Sequence, residues 1–199
     1  MDKPPEDKVV NIGKNSGDAK VIPFEKHKKA KINARRNIQI SKGLSDRGML
    51  QEGWGREDDA MEDYEKALQH SPDNAEAAVN LGTIYFRRGK LREARELYKQ
   101  ALDIDPKYSL AWFNLGNVNE ELHSQQEALI CYERSIGCPT PYPAAYYNMA
   151  VLNQKMGNIM QAIISYKKFI DIADPNDSST ETARRNVERL IKGKLVTEE

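Results

Sequence analysis

Little of what catalytic chemistry usually needs is present in this sequence. Two cysteines, Cys131 and Cys138, stand in 199 residues, too few by themselves for a disulfide framework or a zinc site, so both read as plain thiols. The three histidines, His27, His70 and His123, fall in a tail, at a helix end and in a hairpin turn, without metal-ligand spacing. A phosphate-cradling glycine loop and a nucleophile elbow are missing as well. No enzyme, metal site or cofactor is therefore expected. No run of about 18 apolar residues occurs, and the opening MDKPPEDKVV is charged and proline-bearing where a secretory signal would carry an apolar stretch. The expectation is a cytoplasmic chain without a membrane span.

Net charge is missing too: 30 Lys+Arg balance 30 Asp+Glu. The balance is not local. Residues 1–42 hold eleven Lys/Arg against five Asp/Glu, an excess of six, so the remainder is acidic by the same six. Such asymmetry fits a basic arm for an anionic partner, or an arm lying on its own acidic body. Apolar residues are 39% and charged residues 30% of the chain, and the mean hydropathy is −0.73. These values are polar for a compact globule but ordinary for an elongated fold with much surface per residue.

What the sequence does have is a period. Asn80-Leu81-Gly82 recurs as Asn114-Leu115-Gly116 and, more weakly, as Asn148-Met149-Ala150, in steps of 34. Ala60, Ala94, Ala128 and Ala162 keep the same step, each followed four residues later by a tyrosine: Tyr64, Tyr98, Tyr132 and Tyr166. Four helix–turn–helix units of one register follow, at about 41–74, 75–108, 109–142 and 143–176. The small residues suggest close helix approach, with Gly82 and Gly116 expected opposite Ala94 and Ala128.

This pattern resembles the tetratricopeptide repeat (TPR), in which Trp/Leu, Leu, Gly and Tyr mark a first helix and Ala, Tyr/Phe, Ala and Pro a second. The second unit carries Leu81, Gly82, Tyr85, Gly89, Ala94, Tyr98, Ala101 and Pro106. The third has Trp112, Leu115, Gly116, Ala128 and Tyr132, but Asn119 where an aromatic is usual. The fourth has Tyr146, Ala150, Ala162 and Tyr166, with Phe169 at a normally small position. The first fits at Leu44, Gly48, Ala60, Tyr64, Ala67 and Pro72 and departs at Arg47 and Gln51. The resemblance implies an all-α right-handed solenoid of antiparallel helix pairs that binds other proteins, of the kind found in bacterial cytosolic adaptors.

Beyond the repeats, Ser178 and Glu181 open a capping-box helix over 177–194. Its apolar face is Ala183, Val187, Leu190 and Ile191, and Gly193 is expected to end it before a tail, 195–199. Residues 1–37 show no period and read as a disordered basic arm carrying Lys26, Lys28, Lys29, Lys31, Arg35 and Arg36. The arm is a second binding site, an internal plug or a plain linker. As a second binding site it would make loose, salt-sensitive contacts to nucleic acid or another anionic partner.

Helical spacing puts one set of first-helix residues on the concave face: Glu76, Val79, Asn80, Thr83, Phe86 and Arg87; Leu110, Phe113, Asn114, Asn117, Glu120 and Glu121; Ala144, Tyr147, Asn148, Val151, Gln154 and Lys155. Asn80, Asn114 and Asn148 form a ladder of amides suited to the backbone of an extended peptide, with Phe113 and Tyr147 beside it to select side chains. The ladder resembles the peptide-binding asparagines of O-linked N-acetylglucosamine transferases. The carboxylate-clamp repeats of co-chaperones instead place cations where this chain has Ser45, Leu110 and Asn114. The peptide site is read as Asn80, Thr83, Arg87, Phe113, Asn114, Asn117, Glu121, Tyr147, Asn148, Val151 and Lys155. Trp54, between two glycines in the irregular first unit, is a candidate for self-association.

Overall fold

The computed structural model describes residues 9–10 and 22–196. A short antiparallel pair, β1 (Val9–Val10) and β2 (Ile22–Pro23), precedes the helices. Then follow α1 (Phe24–Gly53), α2 (Glu57–His70), α3 (Ala75–Arg87), α4 (Leu91–Ile104), α5 (Ser109–Glu121), α6 (Gln125–Ile136), α7 (Ala144–Lys155), α8 (Ile159–Ile172) and α9 (Ser178–Val196). Each odd helix from α1 to α7 packs on the next as a hairpin, each hairpin stacks on its neighbour, and α9 covers α8. The fold is an all-α solenoid.

One turn makes all four hairpins. Gly55, Gly89 and Gly157 have φ of 74°, 71° and 81°, and His123, at the same repeat position, has φ 60°. The amide of each donates three residues back, to Glu52, Phe86, Glu120 and Gln154, and the next amide donates five back, to Gln51, Tyr85, Asn119 and Asn153. This is the left-handed helix stop that glycine makes without steric penalty. His123 makes it with a side chain.

Inside each hairpin the second-helix tyrosine is the filler. Tyr64, Tyr98, Tyr132 and Tyr166 are at most 1% exposed. A Cβ added to Gly48, Gly82 or Gly116 would lie 2.6, 2.8 or 2.5 Å from the ring of Tyr64, Tyr98 or Tyr132. The tyrosine rings are therefore what lies nearest to these glycines, and Ala94 and Ala128 are buried one turn away from Tyr98 and Tyr132 along the same helices.

The irregular residues find local answers. Arg47 stands at the position of Leu81 and Leu115, and it forms a two-pronged ion pair with Asp63, which stands at the position of Leu97. One apolar contact of the repeat is thus replaced by a charged one. Asn119 is buried and its amide donates to Cys131 Sγ at 3.5 Å. Burial pushes the Cys131 thiol up to about 11, and Cys138 is likewise a buried free thiol. Phe169 fills the joint between α7, α8 and α9 with Tyr166, Ala183 and Val187. Between the first two units, Asn74 caps α3 by accepting from the Ala77 amide, and its own amide donates to the buried Ser41 and Ser45 hydroxyls, 2.9 Å each.

Three expectations are corrected. Residues 24–37, expected to be disordered, form the first half of α1; the rest of that segment, apart from the β1–β2 residues, lies outside the described residues. Phe24 to Gln39 contain no glycine or proline and many good helix formers, but no apolar stripe that would have betrayed a helix. Gly193 does not end α9, which continues to Val196, and Ile191 is 40% exposed, off the apolar face.

Two substitutions test these contacts by urea unfolding. His123→Gly raises stability by about 1 kcal/mol by relieving the left-handed backbone. Gly116→Ala lowers it by about 1–3 kcal/mol because the Tyr132 ring must move.

Candidate functional site

The first helices of the hairpins share one face. A cleft of about 350 Å³ is lined by Phe86 of α3, Asn117, Glu120 and Glu121 of α5, and Tyr147, Asn148 and Val151 of α7. Three successive repeats contribute, and no second helix does. Tyr147 also borders a neighbouring cleft of about 440 Å³ formed with Tyr142, Phe169 and the start of α9. Its ring is held edge-on by Tyr166 and Phe169, with centroids 5.6 and 5.3 Å away.

The floor is a hydrogen-bond chain linking repeats. Asn148 Nδ2 donates to Asn117 Oδ1 at 2.8 Å, and Asn114 Nδ2 to Thr83 Oγ1 at 3.4 Å. Each asparagine thus reaches the residue at one fixed position of the preceding repeat. For Asn80 that position holds Met49, which offers no good acceptor; Asn80 Nδ2 lies buried beside the Tyr64 hydroxyl without a well-formed hydrogen bond. Among the described residues, the Oδ1 atoms of all three asparagines accept no hydrogen bond.

The buried tyrosines rise into this floor from beneath. The Tyr98 hydroxyl donates to Thr83 Oγ1 (3.2 Å) and the Tyr132 hydroxyl to Asn117 Oδ1 (2.9 Å) and Glu120 Oε2 (3.1 Å). Where the repeat offers Met49 or Val151 instead, the acceptor is three residues further on: Tyr64 donates to Glu52 Oε2 (2.8 Å) and Tyr166 to Gln154 Oε1 (3.4 Å). These hydroxyl contacts were not read from the sequence, where the tyrosines registered only as packing. The signal was there in the polar residues twelve to fifteen positions before each tyrosine.

Of the residues expected in the site, Asn117, Glu121, Tyr147, Asn148 and Val151 come together in the cleft, with Phe86 and Glu120. Lys155 stands at its rim, Nζ 2.6 Å from Glu120 Oε1. Arg87 is held at a distance by Glu52 and Glu57, at 2.6 and 3.0 Å. Phe113 stacks on Tyr142, with centroids 4.6 Å apart, and joins the core beside Tyr132. Val79 is 1% exposed and belongs to the core, not to the face. Lys26, Lys28, Lys29, Lys31, Arg35 and Arg36 lie exposed on the first half of α1 and form no ion pair among the described residues. Trp54 is 65% exposed, with the Arg56 guanidinium 5.4 Å above its ring.

Among the described residues no group of three or more His, Cys, Asp or Glu is placed to hold a metal, and no helix is long and apolar enough to cross a membrane.

Comparison with known proteins gives two tetratricopeptide-repeat matches, over residues 55–115 and 143–176. No curated protein matches the chain. Among solved structures, the MamA protein is 27% identical over 77% of this chain and 87% of its own, with a TM-score of 0.62. A tetratricopeptide repeat protein from Parabacteroides merdae is 23% identical over 78% of this chain and 61% of its own, TM-score 0.64, a likeness of fold alone. The second TPR of Spaghetti (RPAP3), bound to the HSP90 peptide SRMEEVD, is 27% identical over 54% of this chain and 94% of its own, TM-score 0.51.

Alkaline titration tests the floor. Burial pushes the Tyr98 phenol up to about 12, and Tyr64, Tyr132 and Tyr166 also shift upward, with burial the first cause. An unfolded tyrosine loses its proton near about 10, so above that pH the unfolded state binds fewer protons than the folded one and stability falls as pH rises. Thermal melts are expected to be flat up to pH about 8, to decline slightly from about 8.5 as the buried thiols of Cys131 and Cys138 contribute, and to decline more steeply from about 10 towards 12 as the tyrosines do. Tyr98→Phe removes part of that decline.

Proposed function

The chain belongs to the tetratricopeptide-repeat family, and we propose that it is a non-catalytic cytoplasmic adaptor that binds an extended peptide segment of another protein along the face formed by α3, α5 and α7. The observation that carries this reading is the cleft spanning three repeats and lined by Asn148, whose Oδ1 accepts no hydrogen bond among the described residues, with Asn114 and Asn80 at the same repeat position and their Oδ1 atoms likewise without a donor there. Successive Oδ1 atoms would accept from peptide N–H groups, which recur along an extended backbone whatever its side chains. Phe86 and Tyr147 would clasp an apolar or aromatic side chain, and the exposed Glu121 would favour a cation nearby. A related fold, the second TPR of Spaghetti (RPAP3), has been solved bound to the HSP90 peptide SRMEEVD. Its way of gripping is not carried over, because Ser45, Leu110 and Asn114 supply none of the cations that a carboxylate clamp uses.

Each hydrogen bond to the peptide is worth about 1 kcal/mol net, so an affinity near about 1 μM, equivalent to about 8 kcal/mol, needs several of them together with one anchored side chain. The basic first half of α1 supports a second reading, contact with nucleic acid or another anionic partner, on the ground that its six cations are exposed and unpaired within the described chain.

A peptide display library separates these readings. Wild type is expected to select a consensus that an Asn80→Ala/Asn114→Ala/Asn148→Ala triple variant of matched thermal stability loses. Identical selections by both would remove the groove from consideration. Nucleic acid bound with a steep salt dependence, and lost on neutralising Lys28, Lys29, Arg35 and Arg36, would favour the second reading.

A further inference from the structure

The cleft that adjoins the peptide face differs in its walls from the rest of the stack. It lies between the start of α7, the end of α8 and the start of α9, has a volume of about 440 Å³, and is lined by three aromatic rings, Tyr142, Tyr147 and Phe169. The repeat does not require them. At the same three positions the first unit has Ile40, Ser45 and Ala67, the second Asn74, Val79 and Ala101, and the third Tyr108, Phe113 and Ser135. Only the fourth unit brings three rings together.

The rings are held in place by the chain itself. Phe113 packs on Tyr142 with centroids 4.6 Å apart, and Tyr147 stands edge-on to Phe169 at 5.3 Å. Walls that are already placed lose little order when the cleft is filled.

Charge indicates what fits between them. Asp174 and Asp177 also line the cleft, and no Lys, Arg or His does. Each aspartate commits one oxygen to the turn before α9: Asp174 Oδ1 accepts from the Asn176 amide (2.9 Å), and Asp177 Oδ1 from the Ser179 amide (3.1 Å) and the Ser178 hydroxyl (3.4 Å). Their Oδ2 atoms accept no hydrogen bond, and neither aspartate forms an ion pair among the described residues. Arg184, on the first turns of α9, reaches the Pro175 carbonyl at 3.5 Å and Glu181 at 3.7 Å and does not line the cleft. Rings on the walls with free carboxylate oxygens beside them match a side chain that is apolar along its stem and cationic at its head, because the stem packs on the rings while the head keeps a counter-charge. The adjoining 350 Å³ cleft has the same bias: Glu120 and Glu121 line it, no cation does, and Glu121 is exposed.

We propose that the cleft between α7, α8 and α9 takes one lysine or arginine side chain of the bound peptide, its stem against Tyr142 and Tyr147 and its head at Asp174 and Asp177. The inference rests on the peptide-binding reading above and gives the partner a chemistry, a basic segment. Tyr147 is a wall of both clefts, so one peptide fills them together. Side chains two residues apart on an extended strand leave the same face about 6.6 Å from each other, which sets the basic residue two positions from the apolar residue clasped by Phe86 and Tyr147.

Peptide display on the full chain, followed by fluorescence anisotropy with one selected peptide, is the test. Wild type is expected to select a consensus with Lys or Arg two positions from an apolar or aromatic residue, and to bind the selected peptide about tenfold more tightly than an analogue with norleucine in the basic position. Asp174→Asn/Asp177→Asn is expected to keep the apolar position and to bind both peptides alike. Asparagine accepts the same backbone hydrogen bonds and caps a helix about as well as aspartate, and matched circular dichroism melts establish that the variant folds. Glu62→Gln/Glu96→Gln, an equal change of charge on exposed residues of α2 and α4, is expected to leave the tenfold preference intact. The comparison of the two peptides on wild type needs no variant. A consensus that is apolar or acidic at that position overturns the proposal and leaves the groove reading standing. So does a basic preference that Asp174→Asn/Asp177→Asn retains, or that the Glu62/Glu96 control loses equally. A wild type that selects no consensus overturns both.

Discussion

Each hairpin of this chain is built around a tyrosine ring lying against a stretch of helix that carries little or no side chain. Tyr64, Tyr98 and Tyr132 sit on Gly48, Gly82 and Gly116 at distances that a single added carbon would violate. The ring sets the separation of the two helices, and the left-handed stop at Gly55, Gly89, His123 and Gly157 sets the direction in which the second returns. With spacing and direction fixed in the same way four times, the hairpins stack in one register and their first helices fall on one face. The hydroxyl at the tip of each ring then bonds to the floor of that face. Packing inside the repeat and polar chemistry on the groove are consequences of one residue.

That linkage explains why the two uses of the asparagine ladder do not exclude each other. Asn114 and Asn148 each use one N–H to reach Thr83 or Asn117 in the preceding repeat, which holds the amide plane and so aims the carbonyl oxygen. An acceptor whose direction is fixed before a ligand arrives loses less entropy on binding. Asn80 lacks this support because Met49 replaces the polar partner, so the ladder is best organised at its C-terminal rungs, where the cleft lies.

The repeat was legible in the sequence because a 34-residue period in Gly, Ala and Tyr leaves few other folds that could use it, and the helix pairs and the capping helix were read from it. Residues whose meaning depends on a partner in space were less legible. Arg47 and Asp63 each look like a misfit when read against the repeat and become intelligible only as a pair. Val79 and Phe113 have the right spacing for the groove, but Val79 is buried in the core and Phe113 packs, partly buried, against Tyr132 and Tyr142. The first half of α1 was missed for the opposite reason. Periodicity detects a helix by the face it buries, and along Lys26–Gln39 the described side chains are all exposed.

A solenoid has no natural end, since each repeat covers the one before it and needs the next to cover it. α9 solves this at one terminus by presenting charge where a further hairpin would present an apolar face. The outer face of α1 solves nothing of the kind: it keeps Leu50 at a position that the fold elsewhere buries, and it has no side chain at Gly43, where the other repeats bury an alanine. The departures of the first unit from the repeat pattern are therefore of two kinds. Arg47 with Asp63 repairs the inside of the hairpin, whereas Gly43 and Leu50 change its outer face, which no other hairpin covers among the described residues.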